Sequence, residues 1–484
     1  QGEENHKLAL YDLLLAQAAF ARNDMPGARR YADSVLVQMN ERVQALKTSP
    51  LPQTFSQPYL LPDAIYWKVK AERAMGGSSP RTREQWSKDL DLAVLSLARN
   101  KAALDDEGSR LGLIGKEKNL FHLAIDVAYE QWERDTSSAN LDHLLNLTEA
   151  DRSILLKSRL NDFSGMRFAG MPDSILTREG QLIDALEIDP EDPASTQDLD
   201  KREQALADFL TRLSKDHPQY FALRYGEPHV SIADLRKRLV TPEQNLLAYA
   251  VTGEHLYMLV VRMDKATLVR TSNKGLASTV KAMNDAVAAR DAAQYIRSAH
   301  ALHQLAFAPV AHLLPQQRLL IIPDGELHRV NFEALIDAPC TPTDFRKHLL
   351  IQRHAIAYLL SATTAVQFAG LAGERSSKVL AMAPGFADEL KQDYLARMED
   401  TTLVDRDFLN YVRQPFAVTT ANQLGSLLSA KVMVGNEASE AGFRELAGKY
   451  GVLHLGTHAE MNATTPMYSR LVLSKDGRGV DADN

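Results

Sequence analysis

Cysteine is nearly absent from this sequence, and two other kinds of signal are missing as well. The 484 residues contain one cysteine, Cys340, which excludes an internal disulfide and is typical of a reducing compartment. No uninterrupted apolar run reaches the length needed to span a membrane. The formal net charge is −7 and no long basic block occurs, whereas phosphate binding usually leaves a basic stripe. We therefore expect a cytoplasmic protein with no membrane segment and no direct nucleic-acid partner.

The composition is otherwise that of an ordinary soluble globular protein, with 45% hydrophobic and 24% charged residues. The length exceeds what one compact core usually holds, so we expect two or three domains. The first residue is Gln1, and the sequence begins with a helical pattern. Since no signal peptide or initiator methionine is visible, we expect the chain to be part of a longer protein.

Residues 1–215 carry the pattern of paired helices. Two amphipathic stretches, at 8–22 and 26–46, contain the small-residue runs Leu15-Ala16-x-x-Ala19 and Ala28-x-x-x-Ala32, which allow close helix packing. This spacing resembles a tetratricopeptide unit, although the large aromatic positions of that repeat are not kept. An ordinary helical bundle is the alternative. Further helices are predicted over the ranges 62–75, 82–104 and 115–160, with exposed loops at 49–58 and 185–200.

From about residue 217, short apolar runs alternate with helical stretches. Strands are predicted at 245–252, 256–261, 319–322, 356–359, 378–384 and 451–455. The first two are joined by Gly253-Glu254 and predict a hairpin. The later ones are separated by helical stretches, at 276–290, 294–308, 361–372 and 437–449. This alternation predicts a mostly parallel sheet covered by helices, so the expected fold is a helical-repeat region (1–215) followed by an α/β domain (217–484).

One histidine lies where the last of these strands is expected to end. The stretch Tyr450-Gly-Val-Leu-His454-Leu-Gly-Thr-His458 has an apolar run closed by Gly456-Thr457. His458 therefore follows a buried strand, and open α/β sheets place ligands and chemistry at that position. If the strand covered 450–456, His454 and His458 would project from the same face.

Four motifs in this half of the chain resemble the CHAT domain. In order, they are Leu320-Ile-Ile-Pro-Asp-Gly-x-Leu327-x-x-x-Asn-Phe-Glu-Ala-Leu335, Val379-Leu-Ala-Met-Ala-Pro384, Gly435-x-x-Ala438-x-x-x-x-Phe443 and Leu453-His-Leu-x-Thr-His458. CHAT proteins are caspase-like cysteine peptidases related to separase, usually preceded by tetratricopeptide repeats. The run 217–225 and the strands at 245–261 resemble the segment that this family places before its peptidase core, so a strand-rich leading segment is expected over 217–275.

The resemblance implies a His-Cys dyad in which His458 is the catalytic histidine. A cysteine is a nucleophile as thiolate, and a nearby imidazole can take up its proton. Backbone N–H groups beside the histidine can hold the developing oxyanion. The candidates for that role and for supporting contacts are Ala459, which stands where the family often has glycine, Thr457 and His454.

The dyad's cysteine is missing from the expected place. The family's cysteine follows the histidine by several tens of residues, at the end of the next core strand. None of the 26 residues after His458 (484 − 458) is a cysteine. We therefore expect the chain to stop before its nucleophile and to be inactive as given. Cys340 is a weaker candidate, since it lies in a Pro-rich loop before the histidine, outside the family's pattern.

Other chemistries find less support in the sequence. A His-x-x-x-His pair binds zinc from one face of a helix, but Gly456-Thr457 favours a strand, and no cofactor or metal is expected. Neither a Gly-x-Ser-x-Gly elbow nor a phosphate-binding Gly-x-x-x-x-Gly-Lys-Ser/Thr loop occurs. Asp324 follows a strand in Pro323-Asp324-Gly325, which predicts a tight turn and, as the alternative, part of a pocket.

Two functional classes remain open at this point. The first is a CHAT-type cysteine endopeptidase that acts on a protein substrate. The second is a non-catalytic scaffold that carries a degenerate peptidase-like domain. In both, the stacked helices offer a concave surface where a protein substrate or a regulatory partner would bind.

Overall fold

The structure, a computed structural model, describes residues 2–48, 59–76, 79–101, 107–162, 171–185, 199–218, 220–221, 229–370, 376–398, 404–460 and 469–475. Several sequence predictions lie wholly or mostly outside these residues: the loop at 49–58, the acidic stretch at 185–200 and the run at 217–225. The chain divides into two compact units, Gln1–Gly370 and Leu371–Asn484. The predicted boundary at 215–217 lies inside the first unit and stays a prediction.

The N-terminal part of the first unit is helical, as predicted. Its helices are α1 (Gly2–Ala21), α2 (Met25–Gln38), α3 (Asn40–Thr48), α4 (Leu60–Ala74), α5 (Pro80–Lys101), α6 (Glu107–Trp132), α7 (Ser138–Asp162), α8 (Asp173–Asp184) and α9 (Leu199–Asp216). The single helix expected over 26–46 is two helices, because the chain turns at Met39. The likeness to tetratricopeptide repeats stays a prediction.

Small side chains let α1 and α2 pack closely. Ala16, Ala28 and Ala32 are fully buried, so the two backbones approach where larger side chains would separate them. The turn between the helices is fixed by Asp24, whose carboxylate accepts a hydrogen bond from the Gly27 N–H at 2.9 Å and caps α2. The small-residue runs seen in the sequence therefore mark a real helix pair.

The C-terminal part of the first unit contains a five-stranded sheet. Its elements are α10 (Ile232–Arg238), β1 (Gln244–Val251), β2 (His255–Val261), β3 (Ala266–Ser272), α11 (Leu276–Ala288), α12 (Ala292–Ala306), α13 (Ala308–Ala311), β4 (Arg318–Ile322), β5 (Ala355–Tyr358) and α14 (Ala362–Gly370). The strand order is β3-β2-β1-β4-β5. The β1–β2 and β2–β3 pairs are antiparallel, whereas β4 pairs in parallel with both β1 and β5. The predicted hairpin is confirmed, and β3 extends it into a meander.

The second unit contains a parallel three-stranded sheet. Its elements are β6 (Val379–Ala383), α15 (Asp388–Arg397), α16 (Arg406–Asn410), α17 (Pro415–Leu428), β7 (Lys431–Val434), α18 (Glu440–Leu446), β8 (Val452–Leu455), β9 (Ala459–Glu460) and β10 (Arg470–Leu471). The strand order is β7-β6-β8, and both pairs are parallel. The short strands β9 and β10 form a separate antiparallel pair. The expectation of α/β structure with parallel strands is thus confirmed for β4, β5 and the sheet around β6. The expected single, mostly parallel sheet is instead two sheets in the described residues, because the hairpin and β3 pair antiparallel on the first one and β6 to β8 pair among themselves.

The central strand β6 has two different faces because side chains alternate along a strand. Leu380 and Met382 pack into one apolar cluster. On the other face, Ala381 and Ala383 meet Ala417 and Ala421 of α17. Four alanines in contact bring α17 close to the sheet, and this approach fixes the position of the loop that precedes the helix.

Candidate functional site

The candidate site lies where β6 and β8 end. The two strands are parallel, so their carboxyl ends lie at the same edge of the sheet, where α/β proteins bind ligands. After β6, both Gly385 and Phe386 have positive φ, +73° and +51°, and the chain turns sharply. After β8, Gly456 leads to His458. A side chain at Gly456 would meet the Ala417 Cβ at 3.0 Å, so a small residue suits this position.

Both ring nitrogens of His458 have partners from the loop before α17. The Nε2 atom lies 2.8 Å from the Val412 carbonyl oxygen, and the Nδ1 atom lies 3.2 Å from the Gln414 side-chain nitrogen. A carbonyl oxygen only accepts, so Nε2 must carry the hydrogen. Nδ1 of the neutral ring then accepts from the Gln414 amide. The histidine is held in one tautomer, with Nδ1 as its basic nitrogen.

Two aromatic rings pack on the imidazole. The Tyr411 ring is stacked on it with a centroid separation of 5.0 Å and an interplanar angle of 24°. The Phe386 ring is tilted by 59° at 4.9 Å. Such offset and tilted arrangements are the favourable ones for ring pairs. The orientation of the imidazole is therefore fixed by packing as well as by hydrogen bonds.

Tyr411 is itself held by a charged pair on the β9–β10 strands. Its hydroxyl donates to Glu460 Oε1, and Glu460 Oε2 accepts from Arg470 Nε at 2.8 Å. Burial, followed by the bond to Glu460, raises the pKa of Tyr411 to about 12. The bonds from Tyr411 and Arg470 hold the pKa of Glu460 below its usual range. At neutral pH the phenol is thus protonated and donates to an ionised carboxylate.

The backbone of His458 is held by the residue that follows β10. The Val472 N–H donates to the His458 carbonyl oxygen at 2.9 Å, and the Thr457 hydroxyl donates to the Val472 carbonyl. In antiparallel geometry, this bond makes Ala459–Leu471 the non-hydrogen-bonded pair. The N–H of Ala459, which is an exposed residue, therefore points away from β10.

The other residues singled out in the sequence lie elsewhere or do other work. Thr457 uses its hydroxyl to hold the backbone. His454 is half-buried in β8 opposite Ala381. Since β8 ends at Leu455, strand geometry does not extend to His458, and the condition for placing both histidines on one face is not met.

Asp324 lies in the first unit, and its carboxylate extends a strand ladder. It accepts a hydrogen bond from the Val251 N–H at 2.6 Å, beyond the last β1–β4 pair, Ala248 with Ile322. Beyond that pair, the Asp324 carboxylate takes the place of a β4 carbonyl as the acceptor for an N–H of β1. This contact gives Asp324 a structural role next to the predicted turn.

Cys340 also lies in the first unit, half-buried against an apolar cluster. Burial and the nearby carboxylates of Asp344 and Asp337 raise the pKa of its thiol. An activated cysteine needs the opposite environment, since positive charge or a helix N-terminus is what favours the thiolate. Cys340 therefore lacks the surroundings of a nucleophile.

Sequence reasoning missed the residues that hold the imidazole. Phe386 and the loop 411–414 contact it directly, and the pair Glu460 and Arg470 acts through Tyr411. The turn Pro384-Gly385-Phe386 could have been found, because it follows a strand parallel to the one before His458. The loop 411–414 carries no motif, and tertiary packing, including that of α17 on β6, brings it to the site.

The comparison with protein families agrees with the resemblance. Residues 297–484 match the model of the CHAT domain, a caspase-like domain related to cysteine peptidases. The match includes β4 to β10 and every residue around His458, while 217–296 and the helical region lie outside it. No curated protein matches the chain.

Within the described residues, no helix combines the length and the apolar character that crossing a membrane requires. The same part of the chain contains no group of three or more His, Cys, Asp or Glu side chains arranged to hold a metal ion.

Proposed function

We propose that this chain is the histidine-bearing part of a CHAT-type cysteine endopeptidase, with His458 as general base and then general acid. The observation that carries the proposal is the bond from His458 Nε2 to the Val412 carbonyl oxygen. A fixed Nε2–H leaves Nδ1 as the nitrogen that can exchange a proton, and enzymes orient a catalytic imidazole in this way. The matched CHAT domain supports the same class.

In the proposed reaction, Gln414 gives way at Nδ1 to the thiol of the dyad cysteine. The thiol proton moves to Nδ1 as the sulfur forms a bond to the scissile carbonyl carbon. The carbonyl electron pair moves to oxygen, and the outward N–H of Ala459 donates to that oxyanion. When the carbon–nitrogen bond breaks, the Nδ1 proton passes to the leaving amine. Water then hydrolyses the thioester, with the imidazole again acting as base.

The cysteine of this dyad is not among the 484 residues. Cys340 is their one cysteine, and its raised thiol pKa disfavours the thiolate. We therefore expect these residues alone to cleave nothing. We propose that the nucleophile lies in chain that follows the pair β9–β10.

The test uses the gene's own continuation past residue 484, expressed with this chain and assayed on unfolded protein substrates. We expect His458→Ala to lower kcat by about 100-fold or more, the usual contribution of a general acid–base group. His454→Ala is the matched control, since it is also a histidine beside β8, and should keep most of the activity. Cleavage that survives in His458→Ala would overturn the assignment.

The alternative function is a scaffold that binds proteins through its helices. The observation in its favour is a row of exposed apolar residues on α1, namely Leu8, Tyr11, Leu14 and Leu15. Exposed apolar patches often mark interaction surfaces. If the continued chain contained no cysteine on a following strand, and cleaved no substrate, this role would replace the peptidase. In both roles the helical region is the proposed site for a substrate protein or a regulatory partner.

A further inference from the structure

The loop 411–414 supplies three of the contacts that orient His458, which makes the position of this loop decisive. Tyr411 stacks on the ring, Val412 accepts from Nε2, and Gln414 bonds Nδ1. A shift of the loop would weaken all three contacts together. What fixes the loop is therefore part of what fixes the imidazole.

Two hydrogen bonds to the backbone of the loop hold it to the elements around it. The Gln414 N–H donates to the Gly385 carbonyl at 2.8 Å, which links the loop to the turn after β6. The Lys391 ammonium donates to the Tyr411 carbonyl at 2.7 Å. Neither bond reaches the segment that carries His458 itself.

The Tyr411 hydroxyl makes that missing link. It donates to Glu460, two residues after His458, so the contacts form a closed circuit from the imidazole through Tyr411 to Glu460 and back along the backbone. Arg470, opposite Glu460 on β10, bonds the same carboxylate at 2.8 Å. A charge-assisted bond is stronger than a neutral one, and the Glu460 carboxylate has one such bond on each oxygen.

We propose that Tyr411 is a positioning residue for His458, held in place by Glu460 and Arg470. It acts by keeping the ring plane and the Nε2–H tautomer fixed, so that Nδ1 faces the reacting thiol. The inference rests on the proposed peptidase function, although the orientation it describes can be measured without activity. The competing interpretation is that Tyr411 only fills space beside Phe386 and Phe408.

The first experiment measures the ring of His458 in the 484-residue chain. Histidine is labelled with nitrogen-15, and the His458 signal is assigned with a His458→Gln variant. We expect one tautomer, protonated at Nε2, in the wild type. Tyr411→Phe keeps the ring but loses the bond to Glu460, and should give a smaller change than Tyr411→Leu, in which both tautomers should appear.

Carbethoxylation of His458, followed by mass spectrometry, gives an independent readout. We expect Tyr411→Leu to raise the rate by about three- to tenfold, in line with the loss of one aromatic pair. Glu460→Gln should raise it less. The matched control is Phe408→Leu. Phe408 is a buried member of the same aromatic cluster, but the rings that pack on His458 are those of Phe386 and Tyr411. The rate at His454 checks that β8 remains folded.

The outcomes separate the interpretations. A larger effect of Tyr411→Leu than of Phe408→Leu on both tautomer and rate supports the proposal. Equal effects, or an unchanged tautomer in Tyr411→Leu, overturn it and leave a packing role. In the chain continued past residue 484, positioning predicts a lower kcat with an unchanged KM for Tyr411→Leu. A failure of the proposed function would show instead as cleavage that is unchanged in His458→Ala, so the two failures are distinguishable.

Discussion

At the scale of single residues, Gly385 controls the turn that brings two parts of the site together. Its φ of +73° lies in the left-handed region, and a Cβ there would be 2.6 Å from Val418 Cγ2. Its carbonyl also accepts the hydrogen bond from Gln414. A side chain at this position would thus strain the backbone and push on α17, which carries the loop next to His458.

We therefore expect Gly385→Ala to destabilise the second unit by about 1–3 kcal/mol, the cost of a strained backbone position. Chemical denaturation followed by a probe in that unit measures the change in the free energy of unfolding. Gly448→Ala is the control, since among the described residues no heavy atom beyond its chain neighbours lies within 4 Å of its added Cβ, and its φ is not positive. Equal unfolding midpoints for the two variants would contradict the prediction.

The sequence points to His458 and its neighbours Thr457 and Ala459, but not to the residues that pack on the imidazole. His458 follows an apolar run closed by Gly456-Thr457, and this local pattern indicates a strand end. Tyr411 and Gln414 lie more than forty residues upstream, in a loop with no pattern of its own. Their position beside His458 depends on how closely α17 packs on β6, and this packing is tertiary structure that no local pattern encodes. The role of Asp324 was likewise invisible, because its partner Val251 belongs to another strand.

At the scale of elements, helix α7 is joined to the sheet of the first unit by a buried ion pair. Arg152 Nη1 donates to Glu149 Oε1 at 2.7 Å, and both side chains are almost fully buried. Arg152 also donates to the Tyr249 carbonyl on β1. The second carboxylate oxygen of Glu149 accepts from the Thr363 N–H at 2.8 Å. A carboxylate of α7 thus caps the first turn of α14, where an anion is favoured.

We expect Arg152→Met to destabilise the first unit by about 3–5 kcal/mol, because it leaves the Glu149 charge buried without its cation. Thermal or urea unfolding followed by circular dichroism measures this. Lys88→Met serves as the control, since Lys88 pairs with Glu84 on an exposed helix surface of the same unit and should cost much less stability. The double variant Glu149→Leu with Arg152→Met should recover part of the loss; no recovery would mean that the packing of the side chains matters more than their charges.

The elements that sequence predicted are those with a strong pattern of their own. The apolar runs of β1, β2, β4 and β6 are buried and were found. The strand β7 was missed because it is only Lys431–Val434 with an exposed first residue, and it exists because it pairs with β6. The helical pattern of the sequence continues from 26 to 46, yet the helix is interrupted at Met39. Hydrophobic periodicity alone does not predict this break.

At the scale of the whole chain, the helices of the first unit and its sheet share one apolar core. A single cluster of buried residues includes Ala9 and Leu13 of α1 as well as Leu246 and Tyr257 of the sheet. Polar contacts join the same parts. Asp126 of α6 accepts a hydrogen bond from the Tyr257 hydroxyl at 2.6 Å.

The backbone just before the sheet is tied to the helices as well. The Asn146 side chain of α7 bonds both the N–H and the carbonyl of Val230, and Asp142 accepts from the Ile232 N–H at 2.7 Å. Since buried apolar surface supplies most folding free energy, separating the helices from the sheet would expose apolar surface and destabilise both parts.

This shared core predicts how fragments of the chain behave. A fragment of residues 1–370 keeps the helices, the sheet and the pair of Glu149 with Arg152, so it should unfold cooperatively. A fragment of residues 1–216 ends before β1 and loses the apolar surface that covers α6 and α7. We expect it to bind a hydrophobic dye and to unfold at lower denaturant concentration, because burial contributes about 25 cal/mol per Å² of apolar area. Equal midpoints for the two fragments would instead make the helical region an independent domain and place the functional boundary near residue 217, as the sequence pattern alone predicts.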